Sequence, residues 1–140
     1  MKTDISNYFN TQKRSIPVFI SDVDLEGHYN RYCKQIIWPT FHYQIPDNPK
    51  FKHWEKASWD YYVAVNRAFA EAIVSQYKRG DAIWVNDYHL LLVPKMVREL
   101  IPHAMIGLFL HVAFPSSEVF RCLPGSVFLA FRLIKLARIF

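Results

Sequence analysis

Glycine is scarce in this chain, four in 140 residues. None falls in a G-x-G-x-x-G after a strand, so nothing supports a dinucleotide site built on backbone N–H groups. No G-x-S-x-G is present, and no Cys/His pairing offers a nucleophile. The two cysteines, Cys33 and Cys122, stand far apart with no C-x-x-C. That excludes a disulfide framework or a zinc ribbon, and both read as buried free thiols in a reducing compartment. No apolar run reaches the length that spans a bilayer. The first residues, MKTDISNYFNTQ, lack the apolar core of a secretory signal. A basic run interleaved with aromatics, the footprint of a nucleic-acid binder, is also missing. These absences lead us to expect a soluble, cytoplasmic protein that does not bind nucleic acid.

What remains is ample core material. Hydrophobic residues make up 51% of the chain and aromatics 16%. Charged residues are 21%, too few for a disordered composition, and the formal net charge is +5. A chain this long is one domain or part of one. Its modest positive field suits an anionic small molecule or nothing in particular.

Residues 1–14 are polar and expected to be loosely ordered. Ile16 to Ile20 is a continuous apolar run that suits a buried strand. Ser21 to Asp24 reads as a loop of solvated acids, and Gly27 as a tight turn. From Tyr29, the residues Tyr32, Cys33, Ile36 and Ile37 recur at helical spacing. That helix should stop at Trp38, because Pro39 disfavours helical geometry in the residue before it. The cluster Trp38-Pro39-Thr40-Phe41-His42-Tyr43 has two readings, core packing at a helix end or a stacking platform for a sugar.

After a loop marked by Pro46-Asp47-Asn48-Pro49, Ser58 is the expected N-cap of a long helix. Its inner face carries Tyr62, Val63, Phe69, Ala70, Ile73, Val74 and Tyr77. Asn66 interrupts that face, and a buried asparagine needs partners in a neighbouring loop. Gly80 is the expected stop.

Two strand–loop–helix units follow. The first strand, Ala82 to Val85, ends in Asn86-Asp87-Tyr88-His89. A helix over 90–100 should bury Leu91, Leu92, Met96 and Leu100, with Pro94 in its first turn. The second strand, Ile106 to Leu110, ends in His111 and Val112-Ala113-Phe114-Pro115, and a short helix opens at Ser116-Ser117-Glu118. The connection implies a parallel crossover. With Ile16 to Ile20 as a third strand, the expected fold class is α/β with a Rossmann-like parallel sheet. Ligands bind outside the carboxyl ends of such strands, where Asp87 and His111 stand. By residue chemistry alone, Asp87, His89 and His111 are either an acid–base set or three metal ligands.

Longer motifs add to this. WVNDYHLLLVPKMVRELIPHAMIGLFLHVAFPSSEVFRCLP, GHYNRYCKQIIWPTFHY and SWDYYVAVNRAFAEAI closely resemble the trehalose-6-phosphate synthases, glycosyltransferase family 20. The resemblance covers residues 15–124, between the polar segment 1–14 and a basic, apolar tail at 125–140. It implies part of the N-terminal, acceptor-binding domain of a GT-B glycosyltransferase. Family members transfer glucose from UDP-glucose to glucose 6-phosphate, without metal or cofactor. The resemblance implies that Tyr29, Trp38 and Asp87 hold glucose 6-phosphate. It likewise implies that Asp87 and His111 serve catalysis, His111 near the transferred glucose. Transfer with retention needs no protein nucleophile, which fits the lack of one here; positioning and charge stabilisation would carry it.

Asn86 stands where many members have histidine, and Ala113 where synthases have proline before Phe-Pro. HVAFPSSEVFRC looks closer to the larger fungal subunits, which carry a phosphatase domain or are regulatory. The family's glycine-containing donor loop and its UDP-phosphate ligands are not in this sequence. We therefore expect little synthase activity from the chain alone, with a non-catalytic subunit of a trehalose synthase complex as the alternative. The tail GSVFLAFRLIKLARIF does not resemble the family's continuation. Its cations Arg132, Lys135 and Arg138 share one helical face, and we expect no membrane contact from it.

Overall fold

The computed structural model describes residues 1–44 and 56–116. The loop around Pro46–Pro49, the helix expected from Ser116 onward, Cys122 and the tail lie outside the described residues. The described residues form several helices and a small parallel sheet. α1 spans Lys2–Lys13, α2 Asp22–Leu25, a π-helix Glu26–Ile37, α3 Trp38–Phe41 and α4 Lys56–Gln76. β1 is Ala82–Asn86, a 3-10 turn covers Tyr88–Leu90, α5 is Val93–Leu100 and β2 is Met105–Phe109. No helix among the described residues is long and apolar enough to cross a membrane.

The two strands pair in parallel, Ala82 opposite Met105 through to Asn86 opposite Phe109. α5 lies between them in sequence, as the crossover expectation required. Its inner face is Val93, Pro94 and Val97, all buried. Fully burying valine side chains of this kind contributes roughly 1.5–3 kcal/mol each. Pro94 sits at the start of α5, where no N–H is needed. Leu100, expected inside, is 59% exposed. The helix ends at Leu100, and Ile101, which leaves helical geometry at φ −129°, ψ 83°, takes the inner position instead, 8% exposed.

Ile16 to Ile20 is not a strand. Among the described residues the sheet has two strands, and Ile16 and Phe19 are half-exposed. The segment pairs with neither strand; Ile16 and Val18 instead line a hollow of about 470 Å³ with residues of α4 and β1. The parallel α/β architecture therefore stands, with a smaller sheet than expected. Residues 2–13, expected to be loose, form α1, yet no residue of that helix is buried.

The largest departure from the expected elements is the winding of residues 26–37. Their spacing suggested an α-helix; they form a π-helix. Buried residues come in pairs: Gly27 with His28, Tyr32 with Cys33, Ile36 with Ile37, then Thr40 with Phe41 in α3. That repeat of four to five residues exceeds the 3.6 of an α-helix and suits an i→i+5 ladder. The helix does not stop at Trp38. Trp38 keeps helical geometry and its N–H donates to the Cys33 carbonyl. Pro39 has no N–H to continue that ladder, and the chain tightens there into α3.

Smaller corrections follow the same logic. Ser21 caps α2, accepting from the Asp24 N–H at 3.1 Å, so Asp22 and Asp24 begin a helix instead of filling a loop. α4 begins at Lys56, which puts Ser58 inside the helix and buried. α4 ends at Gln76, and Gly80, at φ 103°, serves the turn into β1 rather than the helix stop. Gly27 lies within the π-helix, where it lets that helix close on α4. A Cβ there would stand 2.1 Å from the Tyr61 ring.

Candidate functional site

At the carboxyl end of β1 the chain leaves the sheet through Asp87. Its N–H donates to the Phe109 carbonyl at 2.7 Å, which extends the parallel ladder by one bond. Its backbone then turns to φ 67°, ψ 175°. That region is nearly glycine-only, and a side-chain residue held there stores of order 1–3 kcal/mol of strain. The Asp87 carboxylate offsets part of this by accepting from the Tyr88 N–H at 2.9 Å, the cap of the 3-10 turn.

Three side chains from two helices hold that turn. Tyr62 of α4 donates its hydroxyl to the Tyr88 carbonyl at 2.7 Å and accepts from the Leu91 N–H at 3.1 Å. Asn66, fully buried one turn later, donates to the His89 carbonyl and accepts from the Leu92 N–H, both at 3.1 Å. His28 of the π-helix places Nε2 3.0 Å from the same His89 carbonyl. A carbonyl only accepts, so the proton is assigned to Nε2. Asn66 thus has the loop partners its sequence position called for.

Rings pack above this frame. Tyr29 stacks on His89 at 5.7 Å, and Tyr88 on His89 at 4.1 Å. Trp38 and Phe41 each approach Tyr88 at 6.0 Å. The Lys34 ammonium lies over the Tyr29 ring, 4.6 Å from its centre. Tyr29, Lys34, Trp38 and Tyr88 together line a hollow of about 410 Å³, within the size range of small-molecule pockets.

Burial sets the protonation of the groups around it. It pushes the Tyr88 hydroxyl up to about 12, helped by the nearby Asp87 charge, so at neutral pH Tyr88 is a donor. Burial also lowers His28 and His89 from 6.5; the bond to the His89 carbonyl opposes this at His28, and Asp87 opposes it at His89. Cys33 is a free, fully buried thiol whose pKa burial raises, which leaves it unreactive as a nucleophile.

Of the residues singled out in the sequence, Tyr29 and Trp38 share the hollow, and Asp87 adjoins it through Tyr88. His111 stands apart, exposed just past β2, with its ring edge-on to Phe109 at 4.9 Å. The metal reading of Asp87, His89 and His111 does not hold. His89 Nδ1 is 4.0 Å from Asp87 Oδ2, and no cluster of three potential ligands forms among the described residues. Sequence reasoning missed Lys34, Tyr88 and His28. Tyr88 was legible as the neighbour of Asp87. Lys34 was hidden by the winding, because residues five apart do not face each other on an α-helix.

This is a parallel α/β chain whose polar and aromatic side chains converge at the carboxyl ends of its strands. It belongs to glycosyltransferase family 20, whose sequence profile matches residues 1–129. The chain is 62% identical over 123 residues to the putative alpha,alpha-trehalose-phosphate synthase [UDP-forming] 106 kDa subunit of Schizosaccharomyces pombe, covering 88% of this chain and 13% of that protein. It is 60% identical to the trehalose synthase complex regulatory subunit TPS3 of Saccharomyces cerevisiae, covering 85% of this chain and 11% of that one. The N-terminal domain of Candida albicans trehalose-6-phosphate phosphatase superposes with a TM-score of 0.77 at 37% identity, over 97% of this chain and 28% of that structure. The chain therefore spans about an eighth of the length of these curated relatives. The likeness to large fungal subunits that HVAFPSSEVFRC suggested is borne out.

Proposed function

We propose that the Tyr29–Trp38–Tyr88 hollow is an acceptor pocket for glucose 6-phosphate, in part of a Rossmann-like, GT-B N-terminal domain. The observation that carries this is the convergence of Tyr29 and Trp38 on one hollow beside a strand-end carboxylate held at a strained backbone position. Aromatic faces take a sugar ring's apolar side. The Tyr88 hydroxyl, held protonated, donates to a sugar or phosphate oxygen. Asp87 spends Oδ1 on the Tyr88 N–H and keeps Oδ2 to accept from sugar hydroxyls. We assign His111, exposed past the neighbouring strand end, to the glucose carried by UDP-glucose. No other residue of this chain is assigned to the donor, and trehalose phosphate synthesis by this chain alone is expected to be negligible.

The test is titration of the chain with glucose 6-phosphate by calorimetry, with Trp38→Ala beside it. Saturable binding that Trp38→Ala abolishes supports the pocket. Wild-type binding that survives Trp38→Ala and Tyr29→Ala would sink it. UDP release from UDP-glucose plus glucose 6-phosphate should stay at background.

A second reading is favoured by the 60% identity to a protein named as a regulatory subunit. Here the chain acts as a non-catalytic piece of a trehalose synthase complex in the cytoplasm. Co-purification with a full-length synthase supports it; a chain that binds sugar phosphate and recruits no synthase argues against it.

A further inference from the structure

The hollow is lined by three aromatic residues and one formal charge, the ammonium of Lys34. Its place there follows from the π-helix. In an α-helix, Lys34 would point well away from Tyr29, since neighbours are three or four residues apart. Trp38, nine residues beyond Tyr29, would fall half a turn off, on the opposite face. An i→i+5 winding has a little over four residues per turn, so nine residues make roughly two turns. Tyr29, Lys34 and Trp38 therefore gather along one side. The observed geometry agrees: Lys34 Nζ lies 4.6 Å from the Tyr29 ring centre, and all three residues line the hollow.

We propose that Lys34 is the specificity-determining cation of the pocket, pairing with the phosphate of a phosphorylated sugar while the rings hold its hexose. This rests on the acceptor-pocket reading and names what selects the phosphorylated sugar over the free one. A ring face holds the ammonium without neutralising it, so the charge remains available to a dianion. The chain's net charge of +5 adds a weak attraction of the same sign. Lys34 is exposed, so its pairing with phosphate is partly screened by water and salt.

The experiment titrates three probes, glucose 6-phosphate, glucose and inorganic phosphate, into the full chain and into Lys34→Gln and Lys34→Arg. Because Lys34 is a surface side chain, these variants should fold as the wild type does, and circular dichroism checks it. Lys34→Gln is expected to weaken glucose 6-phosphate about fivefold at low ionic strength. Free glucose should bind both proteins equally, and Lys34→Arg should keep most of the affinity. Half-molar salt should shrink the difference between wild type and Lys34→Gln. Glucose 6-phosphate binding that is unchanged in Lys34→Gln, with the wild type binding well, overturns the role of the lysine alone. Equal losses for glucose and glucose 6-phosphate also overturn it, since they mark a disturbed pocket instead of a lost charge. A wild-type chain that binds no glucose 6-phosphate overturns the acceptor pocket itself, and the role of the lysine with it.

Discussion

The side-chain amide of Asn66 bridges two backbone groups of the loop after β1: its nitrogen donates to the His89 carbonyl and its oxygen accepts from the Leu92 N–H, each at 3.1 Å. Asn66 is fully buried, so neither loop group is free to turn to water there. Replacing Asn66 with leucine should leave the Leu92 N–H unpaired. An unsatisfied buried donor of this kind destabilises by about 1–3 kcal/mol. The His89 carbonyl retains His28, so the loss should stay within that range, at about 2 kcal/mol. Urea unfolding of Asn66→Leu against wild type measures it. An unchanged midpoint would show that the bridge does not hold the loop.

Asp87 combines a strained backbone with a capping carboxylate, and substitutions separate the two. Asn is isosteric with Asp and bears the same strain, and its side-chain oxygen can keep the cap on Tyr88, so Asp87→Asn should lie within about 0.5 kcal/mol of wild type in stability. Gly relieves the strain and loses the cap. Ala keeps the strain and loses the cap, and should be the least stable, by about 1–2 kcal/mol. Ala below both Asn and Gly in chemical denaturation is the expected result; Ala equal to Gly would show that φ 67° carries no strain. Binding should follow a different order, with Asp87→Asn weakening glucose 6-phosphate roughly tenfold through loss of a charged acceptor.

Much of this arrangement was legible in the sequence, and the failures share a cause. β1, β2 and the helix between them follow from short apolar runs and from Pro94 in a first turn. The strand-end positions of Asp87 and His111, and the need of Asn66 for loop partners, were readable for the same reason: each depends on local pattern. Ile16 to Ile20 misled because a short apolar run says nothing about whether a partner strand lies beside it. The π-helix was missed because the apolar residues Tyr32, Cys33, Ile36 and Ile37 fit a 3.6 period over two turns. The longer repeat emerges only when Gly27-His28 and Thr40-Phe41 are counted as buried pairs, and neither pair is apolar enough to announce itself. Lys34 was missed with it, since its neighbourhood with Tyr29 exists only in that winding.

Gly27 marks where the π-helix meets α4. A Cβ at this position would lie 2.1 Å from Tyr61 Cδ2 and 2.8 Å from Tyr61 Cβ. Gly27→Ala should therefore destabilise by about 1–3 kcal/mol, as overpacking does, although alanine is the better helix former. Truncating Tyr61 removes the ring contact and leaves its Cβ, so Gly27→Ala with Tyr61→Ala should recover part of the loss. A double-mutant cycle reads this as a coupling of opposite sign to the single effects. Strict additivity would mean that the two helices do not close on each other through this pair.

His28 and His89 predict how stability responds to pH. Burial holds both below 6.5 in the folded chain, while unfolding returns them to about that ordinary value. Between the folded and unfolded values the unfolded chain binds more protons. Unfolding free energy must then rise with pH in that interval and fall as the pH drops below about 6.5. Each histidine contributes at most about 1.4 kcal/mol per pH unit. More than about one pH unit above that value neither contributes a slope. Urea midpoints at pH 7.5, 6.5 and 5.5 should fall little over the first step and more steeply over the second, before carboxylates titrate. His28→Gln keeps a donor for the His89 carbonyl and removes one titration, so its second step should be shallower than that of the wild type. Identical steps in the two proteins would show that His28 is not held neutral beneath the pocket.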